Sequence, residues 1–282
     1  MKTALVLEGG AMRGIYTAGV LDILLENDIK VDGVIGVSAG SIHGCNFVSK
    51  QKERSIKYYK ACRNDYRFLS FKSFLKTGNI VDTEYCYHEI PDKKFVFDHN
   101  TFNKSKTKFY VTVTNVETGK AEYIHCTDLK KQIDYLRASA SMQVVSQIVE
   151  INGNKYLDGG IADSIPIEKF QEMGYDKCIV VQTRPEGYKK GKDKMYMIEK
   201  RLYKNYPNLL KSMKNRHVNY NKTLEKIDEL EKNKEIIRIR PSKKIKIGRL
   251  EKNMKTIVEM YELGRHDAKD KIKDINKFLK EK

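Results

Sequence analysis

The stretch GVIGVSAG, residues 33–40, decides how the centre of the chain folds. Its first five residues form an apolar run typical of a strand buried on both faces, and a helical pattern follows Ser38 to about Ser49. A sharp strand-to-helix turn projects a serine hydroxyl above the sheet edge, and Gly36 and Gly40 let the backbones pass closely. The start of the helix would stabilise developing negative charge. The stretch therefore predicts Ser38 as a nucleophile, the alternative being a serine that only caps the helix.

The residues on either side place this turn in an α/β fold. An apolar strand at 3–7, a Gly-rich loop at 8–14 and a helix at 15–27 precede it. Beyond it, hairpins are expected at 109–124 and at 149–157, the second around an Asn-Gly turn. The alternation of strand, helix and strand predicts a three-layer α/β/α sandwich with a mainly parallel sheet.

The Gly-rich loop after the first strand offers backbone amides to an anion. Successive N–H groups at a helix start can bind a phosphate or an oxyanion, and a plain packing turn is the third alternative. A dinucleotide fingerprint needs glycine where Ala11 stands, so that motif does not fit. Because the Ser38 turn follows closely, an oxyanion hole is the economical interpretation. Its residues are Gly9, Gly10, Ala11, Met12, Arg13 and Gly14.

A serine nucleophile needs a base, and the sequence leaves the choice open. Asp158-Gly159-Gly160 is, taken alone, a common turn. None of the six histidines lies in a Gly-flanked turn typical of an α/β-hydrolase histidine. The usual Ser–Asp–His chain order would require His217 or His266, both in the basic last third of the chain. The histidine pattern therefore argues against a standard triad.

Taken together, these motifs resemble those of the patatin-like phospholipase family. A Gly-Gly-x-x-Arg-Gly loop, GxSxG and Asp-Gly-Gly occur in the family's order over about residues 3–185, and residues 137–141 resemble its Ala-Ser segment. The resemblance implies a Ser–Asp dyad without histidine, with Ser38 as nucleophile and Asp158 as general base. It also implies that residues 9–14 form the oxyanion hole, with Arg13 at the basic position of the loop. The supporting turns are Gly36, Gly40, Gly159 and Gly160.

The chain departs from the family's pattern at two positions. Ala11 replaces a third glycine, although an alanine still offers its backbone N–H. Gln143 stands where the family often has proline. Both departures leave the dyad intact, so the resemblance implies the chemistry more firmly than the substrate.

The composition changes near residue 186, which predicts a patatin-like catalytic domain at 1–185 and a small, basic α+β appendage at 186–282. The net charge is +17, and the residues after 185 hold 29 Lys and Arg against 15 Asp and Glu. Such a surface suits anionic lipid or nucleic acid, or is simply well solvated. The elements predicted there are helices at about 194–217 and 221–234, a strand at 236–240, and helices at 254–263 and 270–279.

Residues 51–90 are rich in tyrosine and phenylalanine and read as helical or irregular. They could form a cap over a site, or equally a peripheral helical hairpin, because aromatic stripes commonly serve packing.

Several classes of protein and site fit the sequence poorly. The five cysteines are odd in number and show no CxxC spacing, which speaks against a disulfide framework or a zinc site. No apolar stretch approaches the roughly 20 residues of a membrane span, and no targeting segment is visible. No nucleic-acid motif is recognisable, so no nucleic-acid partner is expected. We therefore expect a cytoplasmic protein, with peripheral contact to an anionic membrane as one option, and no metal or cofactor.

The predicted function is hydrolysis of an acyl ester, of a phospholipid or related lipid, through an acyl-enzyme. One alternative is a soluble thioesterase or esterase on the same scaffold. The other is a non-catalytic module that binds a phosphorylated ligand in the 9–14 loop.

Overall fold

The computed structural model describes residues 1–281 and shows one eight-stranded sheet. The strand order is β5-β6-β3-β2-β1-β7-β8, and β4 pairs with β3. Five neighbouring strands, β3, β2, β1, β7 and β8, run parallel to one another. β4 and β6 pair antiparallel with β3, and β5 pairs antiparallel with β6. The strands are β1 (Thr3–Leu7), β2 (Gly33–Val37), β3 (Lys108–Asn115), β4 (Ala121–Cys126), β5 (Val149–Ile151), β6 (Asn154–Asp158), β7 (Lys177–Val181) and β8 (Ile236–Ile239).

Helices cover both faces of the sheet. Alternate residues of a strand point to opposite faces, so Leu5 and Leu7 of β1 join one core while Ala4 and Val6 join the other. The helices are α1 (Ile15–Glu26), α2 (Ala39–Val48), α3 (Arg54–Cys62), α4 (Phe71–Thr77), α5 (His99–Asn103), α6 (Leu129–Ser139), α7 (Ile167–Glu172), α8 (Tyr196–Leu202), α9 (Pro207–Lys232) and α10 (Met254–Lys280). The predicted fold class is confirmed.

The basic last third adds an edge strand and two long helices to this sandwich. β8 pairs in parallel with β7, and α10 packs on α1 through glycines of both helices. A Cβ on Gly264 would lie 2.1 Å from the Tyr16 carbonyl oxygen, and a Cβ on Gly19 equally close to that of Tyr261. Only glycine permits this crossing, which fixes α10 against the first helix. The division of the chain at residue 185 stays a prediction.

Two of the breaks predicted between helices of the last third are wrong. The helices expected at 194–217 and 221–234 are α8 and α9, and the break falls at 203–206. Pro207 lacks an N–H and occupies the first turn of α9, where that donor has no intrahelical partner. The helices expected at 254–263 and 270–279 form the single helix α10, because Gly264 and the buried Ala268 pack inside it.

Residues 51–90 form α3, α4 and the start of a π-helical segment, Tyr85–Lys94. Tyr58, Tyr59 and Phe68 pack edge to face or tilted against one another. No helix among residues 1–281 has the length and hydropathy needed to cross a bilayer.

Candidate active site

Ser38 lies in a strained turn between β2 and α2. Its φ of 55° and ψ of −122° are uncommon for a residue with a side chain, and such strain clusters at functional sites. A Cβ on Gly40 would lie 2.4 Å from the Leu7 carbonyl oxygen, so only glycine lets α2 begin this close to β1. Gly36 likewise faces the backbone of Ser41. The predicted strand-turn-helix geometry is therefore present at Ser38.

Ser139, at the end of α6, braces this turn against β3. Its hydroxyl accepts a hydrogen bond from the Ser38 amide at 2.9 Å and donates one to the Thr112 carbonyl at 2.7 Å. The Ser41 hydroxyl, 3.1 Å away, completes the contacts. All these atoms are buried, so the brace operates in a low dielectric where hydrogen bonds are strong. The Ala-Ser segment noted in the sequence thus orients the Ser38 backbone.

Asp158 ends β6 beside the same turn. Its amide donates to the Ser141 carbonyl at 2.9 Å, and its Oδ1 accepts from the Gly160 amide at 2.8 Å. A Cβ on Gly159 would lie 2.2 Å from the Thr112 carbonyl oxygen, so glycine is required for the turn to press against β3. The structure therefore brings the predicted base and the predicted nucleophile to the wall of one cavity.

The environment of Asp158 makes its carboxylate a better proton acceptor than a free aspartate. Burial raises the pKa of the carboxyl, while the Arg216 cation and a hydrogen bond with the Ser38 side chain act in the opposite direction. The net shift is upward, and a carboxylate with a raised pKa accepts a hydroxyl proton more readily.

No histidine described by the structure makes a hydrogen bond with Ser38 or Asp158. His43 is buried behind the turn and pairs with the Ser55 hydroxyl at 2.8 Å, and burial lowers its pKa to about 3. His266 lies on α10 beside Asp267. His217 on α9 lines the same cavity as Ser38 and Asp158 but makes no hydrogen bond with either residue. The hydrogen-bonded imidazole that a standard triad requires is therefore missing from this geometry.

The loop at 9–14 lies against the Ser38 turn with its first four amides free. The N–H groups of residues 9–12 donate no hydrogen bond within the described part of the chain. A Cβ on Gly9 would lie 3.2 Å from the Ser38 Cβ, and a Cβ on Gly14 would lie 2.4 Å from that of Ala39. Ala11 has a φ of 47°, which costs a non-glycine residue about 1 kcal/mol. Free amides beside the serine are what an oxyanion hole requires.

Glu8 anchors this loop to α9, a contact that sequence reasoning missed. Its carboxylate accepts from the Thr183 amide at 2.6 Å and from the Tyr220 hydroxyl at 2.6 Å, all of them buried. A charged residue directly after a buried strand was the only signal in the sequence. Tyr220 lies 212 residues from Glu8, so no spacing in the sequence could reveal that the two residues are in contact.

Two cavities meet at Ser38. The first, of about 330 Å³, has mostly apolar and aromatic walls, supplied largely by α2, α3, α6 and the Tyr85–Lys94 segment. The second, of about 470 Å³, also contacts Asp158 and has polar, mainly cationic walls that include Arg13 and Arg216. Residues 51–90 thus supply a wall of the apolar cavity, as the cap interpretation expects. Ser38 lies where an apolar group and a polar group of one ligand would join.

The model of the patatin-like phospholipase family matches residues 5–170, which is more than half of the chain and contains the Ser38 and Asp158 turns. The chain belongs to the patatin-like phospholipase family. The predicted family is therefore confirmed. The assignment of individual catalytic residues stays a prediction.

Other comparisons place the patatin-like chain among relatives of different length. It is 29% identical over 190 residues to the uncharacterized protein YjjU of Escherichia coli, covering 65% of this chain and 52% of that protein. It is 27% identical over 195 residues to the lysophospholipase NTE1 of Coccidioides immitis, covering 66% of this chain but 12% of that protein. The chain thus spans about half or less of these curated relatives.

Two further matches extend into the basic third. A model described as a domain of unknown function, DUF6363, matches residues 206–280. The crystal structure of VipD from Legionella pneumophila aligns over 97% of this chain and 67% of that one, with a TM-score of 0.46 and 13% identity.

Proposed function

We propose that this chain hydrolyses an acyl ester of a lipid, with Ser38 as nucleophile and Asp158 as general base. The observation that carries the proposal is a strained serine that lines the same cavity as a buried carboxylate, beside free loop amides and at the wall of an apolar cavity. Membership of the patatin-like family and the similarity to a protein named lysophospholipase NTE1 agree with it.

The reaction needs only groups that the chain supplies. Asp158 accepts the Ser38 hydroxyl proton as Oγ attacks the ester carbonyl, and the amides of residues 9–12 stabilise the negative charge on the carbonyl oxygen. The tetrahedral intermediate expels the alcohol, which takes the proton from Asp158 and leaves an acyl-enzyme. Water then gives a proton to Asp158 and attacks the acyl carbon, and Ser38 departs with that proton as the free hydroxyl.

The apolar cavity suits the acyl chain. Pockets of a few hundred Å³ with apolar walls and few polar groups bind hydrocarbon by removing it from water. Ile42 and Leu136 lie on its walls together with Tyr59, and Ser38 belongs to the wall that it shares with the second cavity. An acyl chain bound there would present its carbonyl carbon to the serine hydroxyl.

Steady-state hydrolysis of p-nitrophenyl acyl esters tests this proposal. We expect Ser38→Ala and Asp158→Asn each to lower kcat by at least about a thousandfold, the scale seen when a nucleophile or its base is removed. Ser164→Ala and Asp163→Asn are the matched controls. Ser164 lines the second, polar cavity together with Ser38. Asp163 is a half-buried carboxyl that accepts from the Tyr123 hydroxyl, and desolvation raises its pKa. Hydrolysis that persists in Ser38→Ala would overturn the assignment.

The alternative of a soluble thioesterase or esterase rests on the same residues and differs in the leaving group. Comparing an acyl thioester, a short soluble ester and a lysolipid of equal acyl chain separates them, because lipid specificity requires the lysolipid to have the highest kcat/KM. A chain that binds but turns over none of the three would fit the non-catalytic alternative instead.

Peripheral contact with an anionic membrane also belongs to this proposal. Helix α4 exposes Phe71 and Leu75 together with Lys72 and Lys76, and it follows residues 68 and 69 on the wall of the apolar cavity. Apolar side chains flanked by lysines suit an anionic lipid surface. Co-sedimentation with anionic vesicles should weaken in Leu75→Ser and at high salt. Binding that is absent, or that ignores salt, would contradict this contact.

A further inference from the structure

The second cavity at Ser38 carries an excess of positive charge. Seven cationic side chains line it against three acidic ones, and none of the seven forms an ion pair among residues 1–281. The cations are Arg13, Arg184, Lys190, Lys192, Lys194, Arg216 and Arg249, and the acids are Glu8, Asp158 and Asp193. A cavity with so many unpaired cations is built for an anion.

Two of the guanidinium groups each have one buried donor left unused. The Nε atoms of Arg13 and Arg216 are inaccessible to solvent and have no hydrogen-bond partner. Buried polar groups are normally satisfied, because an unmet donor costs free energy. Arg216 adjoins the Asp158 turn, since its Nη2 would lie 3.1 Å from a Cβ on Gly160. Both arginines line the cavity that Asp158 also lines, and each has a donor left unused there.

The lysine at position 190 is held in place by the fold. Its backbone exchanges two hydrogen bonds with the Asn221 side chain on α9, and its ammonium lies 4.4 Å from the Tyr220 ring centroid. Burial and the neighbouring Arg216 lower its pKa to about 7. Burial likewise lowers the pKa of Arg13 to about 10, with Arg184 adding to the effect. An anion in the cavity would relieve this repulsion.

The acidic groups do not neutralise the cavity. Glu8 is already engaged by Thr183 and Tyr220, and Asp158 accepts from the Gly160 amide. Only Asp193 remains, and its carboxylate accepts from the Met195 amide in the same loop.

We propose that this cavity binds the phosphate of the substrate's headgroup, so that the enzyme prefers an acyl lipid with a terminal phosphate monoester. The inference rests on the proposed function, since it places the ester carbonyl at Ser38 between the two cavities. A phosphate monoester presents up to two charges and three acceptor oxygens to Lys and Arg donors. A choline headgroup would bring its own cation into an already cationic site.

The inference also gives the basic third of the chain a role. Lys190 and Arg216 belong to the segment after residue 185, and Arg249 reaches both cavities. On α9, residues 213, 216, 217 and 220 line the cavity at helical spacing, so one face of this helix forms its wall. The segment that follows the family's matched region would select the headgroup.

The test compares three substrates with one acyl chain: 1-acylglycerol 3-phosphate, 1-acylglycerol and lysophosphatidylcholine. We expect kcat/KM for the phosphate monoester to exceed that for acylglycerol by about tenfold or more, the worth of one charge-assisted contact. Lys190→Gln should reduce this ratio about tenfold, mainly through KM. Lys189→Gln is the matched control, because Lys189 is exposed and lies outside the cavity. Equal kcat/KM values for the three lipids would overturn the inference.

Inorganic phosphate separates the headgroup from a free anion. We expect inorganic phosphate to inhibit hydrolysis of the phosphorylated lipid competitively. We expect it not to increase the rate of acylglycerol hydrolysis. Activation of acylglycerol hydrolysis by phosphate would assign the cavity to a free anion and overturn the headgroup assignment.

Binding of the same lipids to Ser38→Ala protein separates this inference from the proposed function. Suppose that Ser38→Ala protein binds the phosphate monoester preferentially and that the double variant Ser38→Ala/Lys190→Gln does not. This result supports the cavity assignment even if the native chain hydrolyses none of the lipids. Such a result would contradict the proposed reaction alone. Hydrolysis without headgroup preference would contradict the cavity assignment alone.

Discussion

Replacing Ser139 by alanine would remove the brace that holds the Ser38 turn to β3. The change deletes one acceptor for the Ser38 amide, one donor to the Thr112 carbonyl and the contact with the Ser41 hydroxyl. Because the amide and the carbonyl are buried and would be left unsatisfied, we expect a loss of about 2–4 kcal/mol in the free energy of unfolding. Urea denaturation followed by circular dichroism measures this loss.

The same variant should lose activity through kcat and not through KM. Ser139 lines neither cavity, so substrate binding is unaffected, while a serine displaced from its reactive position costs about tenfold to a hundredfold in rate. Both p-nitrophenyl ester turnover and the rate of fluorophosphonate labelling at Ser38 should fall together. A purely structural role would not change the labelling rate of the fraction that remains folded.

Ser141→Ala is the matched control in the same segment. Its hydroxyl donates to the Arg137 carbonyl, which also accepts from the amide of residue 140, so removing it should cost less than about 1 kcal/mol. Equal stabilities of Ser139→Ala and Ser141→Ala, together with an unchanged kcat in the former, would refute the bracing role.

Three other substitutions test neighbouring contacts. At neutral pH the raised pKa of Asp158 means that its ionised form is disfavoured by folding, so Asp158→Asn should be inactive yet more stable than the native chain at pH 7. This gain in the free energy of unfolding should vanish below about pH 4, where the native carboxyl is protonated in both the folded and the unfolded state. A gain that is independent of pH would contradict the raised pKa. Tyr220→Phe removes a buried hydrogen bond to Glu8 and should cost about 1.5–3 kcal/mol by urea denaturation, and no loss would show that this bond does not anchor the loop. Gly40→Ala forces a Cβ into the β1 backbone, so it should lower the free energy of unfolding by about 1–3 kcal/mol and remove most of the activity. Gly248→Ala is the control, because its Cβ would lie in open space and should change neither stability nor activity. Equal effects of the two substitutions would refute the close approach of Gly40 to β1.

The dependence of activity on pH follows from the same carboxyl. Because burial raises the pKa of Asp158, kcat/KM for an uncharged ester should fall as the pH is lowered through an inflection above the ordinary aspartate value of about 4. A kcat/KM that does not fall as the pH is lowered towards 4 would contradict this role of Asp158.

Local patterns predicted the part of the molecule around the nucleophile. The strands at 3–7 and 33–37 and the turn at Ser38 could be predicted because each depends on a short apolar run and on glycines next to it in sequence. The position of Asp158 beside Ser38 required the resemblance to a family, since Asp-Gly-Gly alone is typical of any turn.

Contacts between distant residues could not be predicted in this way. Glu8 meets Tyr220, and Arg216 approaches Asp158, only because β8 and α10 draw the last third of the chain onto the sheet. The continuous helix α10 was missed for a related reason. Gly264 in isolation suggests a helix end, but its contact with α1 makes glycine necessary inside the helix.

The most direct test of the account is fluorophosphonate labelling followed by peptide mapping, applied to the native chain, Ser38→Ala, Asp158→Asn and the control Asp163→Asn. The account predicts one adduct, on Ser38, in the native chain and in Asp163→Asn, with none in Ser38→Ala and little in Asp158→Asn. An adduct on another residue, or undiminished labelling of Ser38 in Asp158→Asn, would contradict the proposed Ser–Asp dyad.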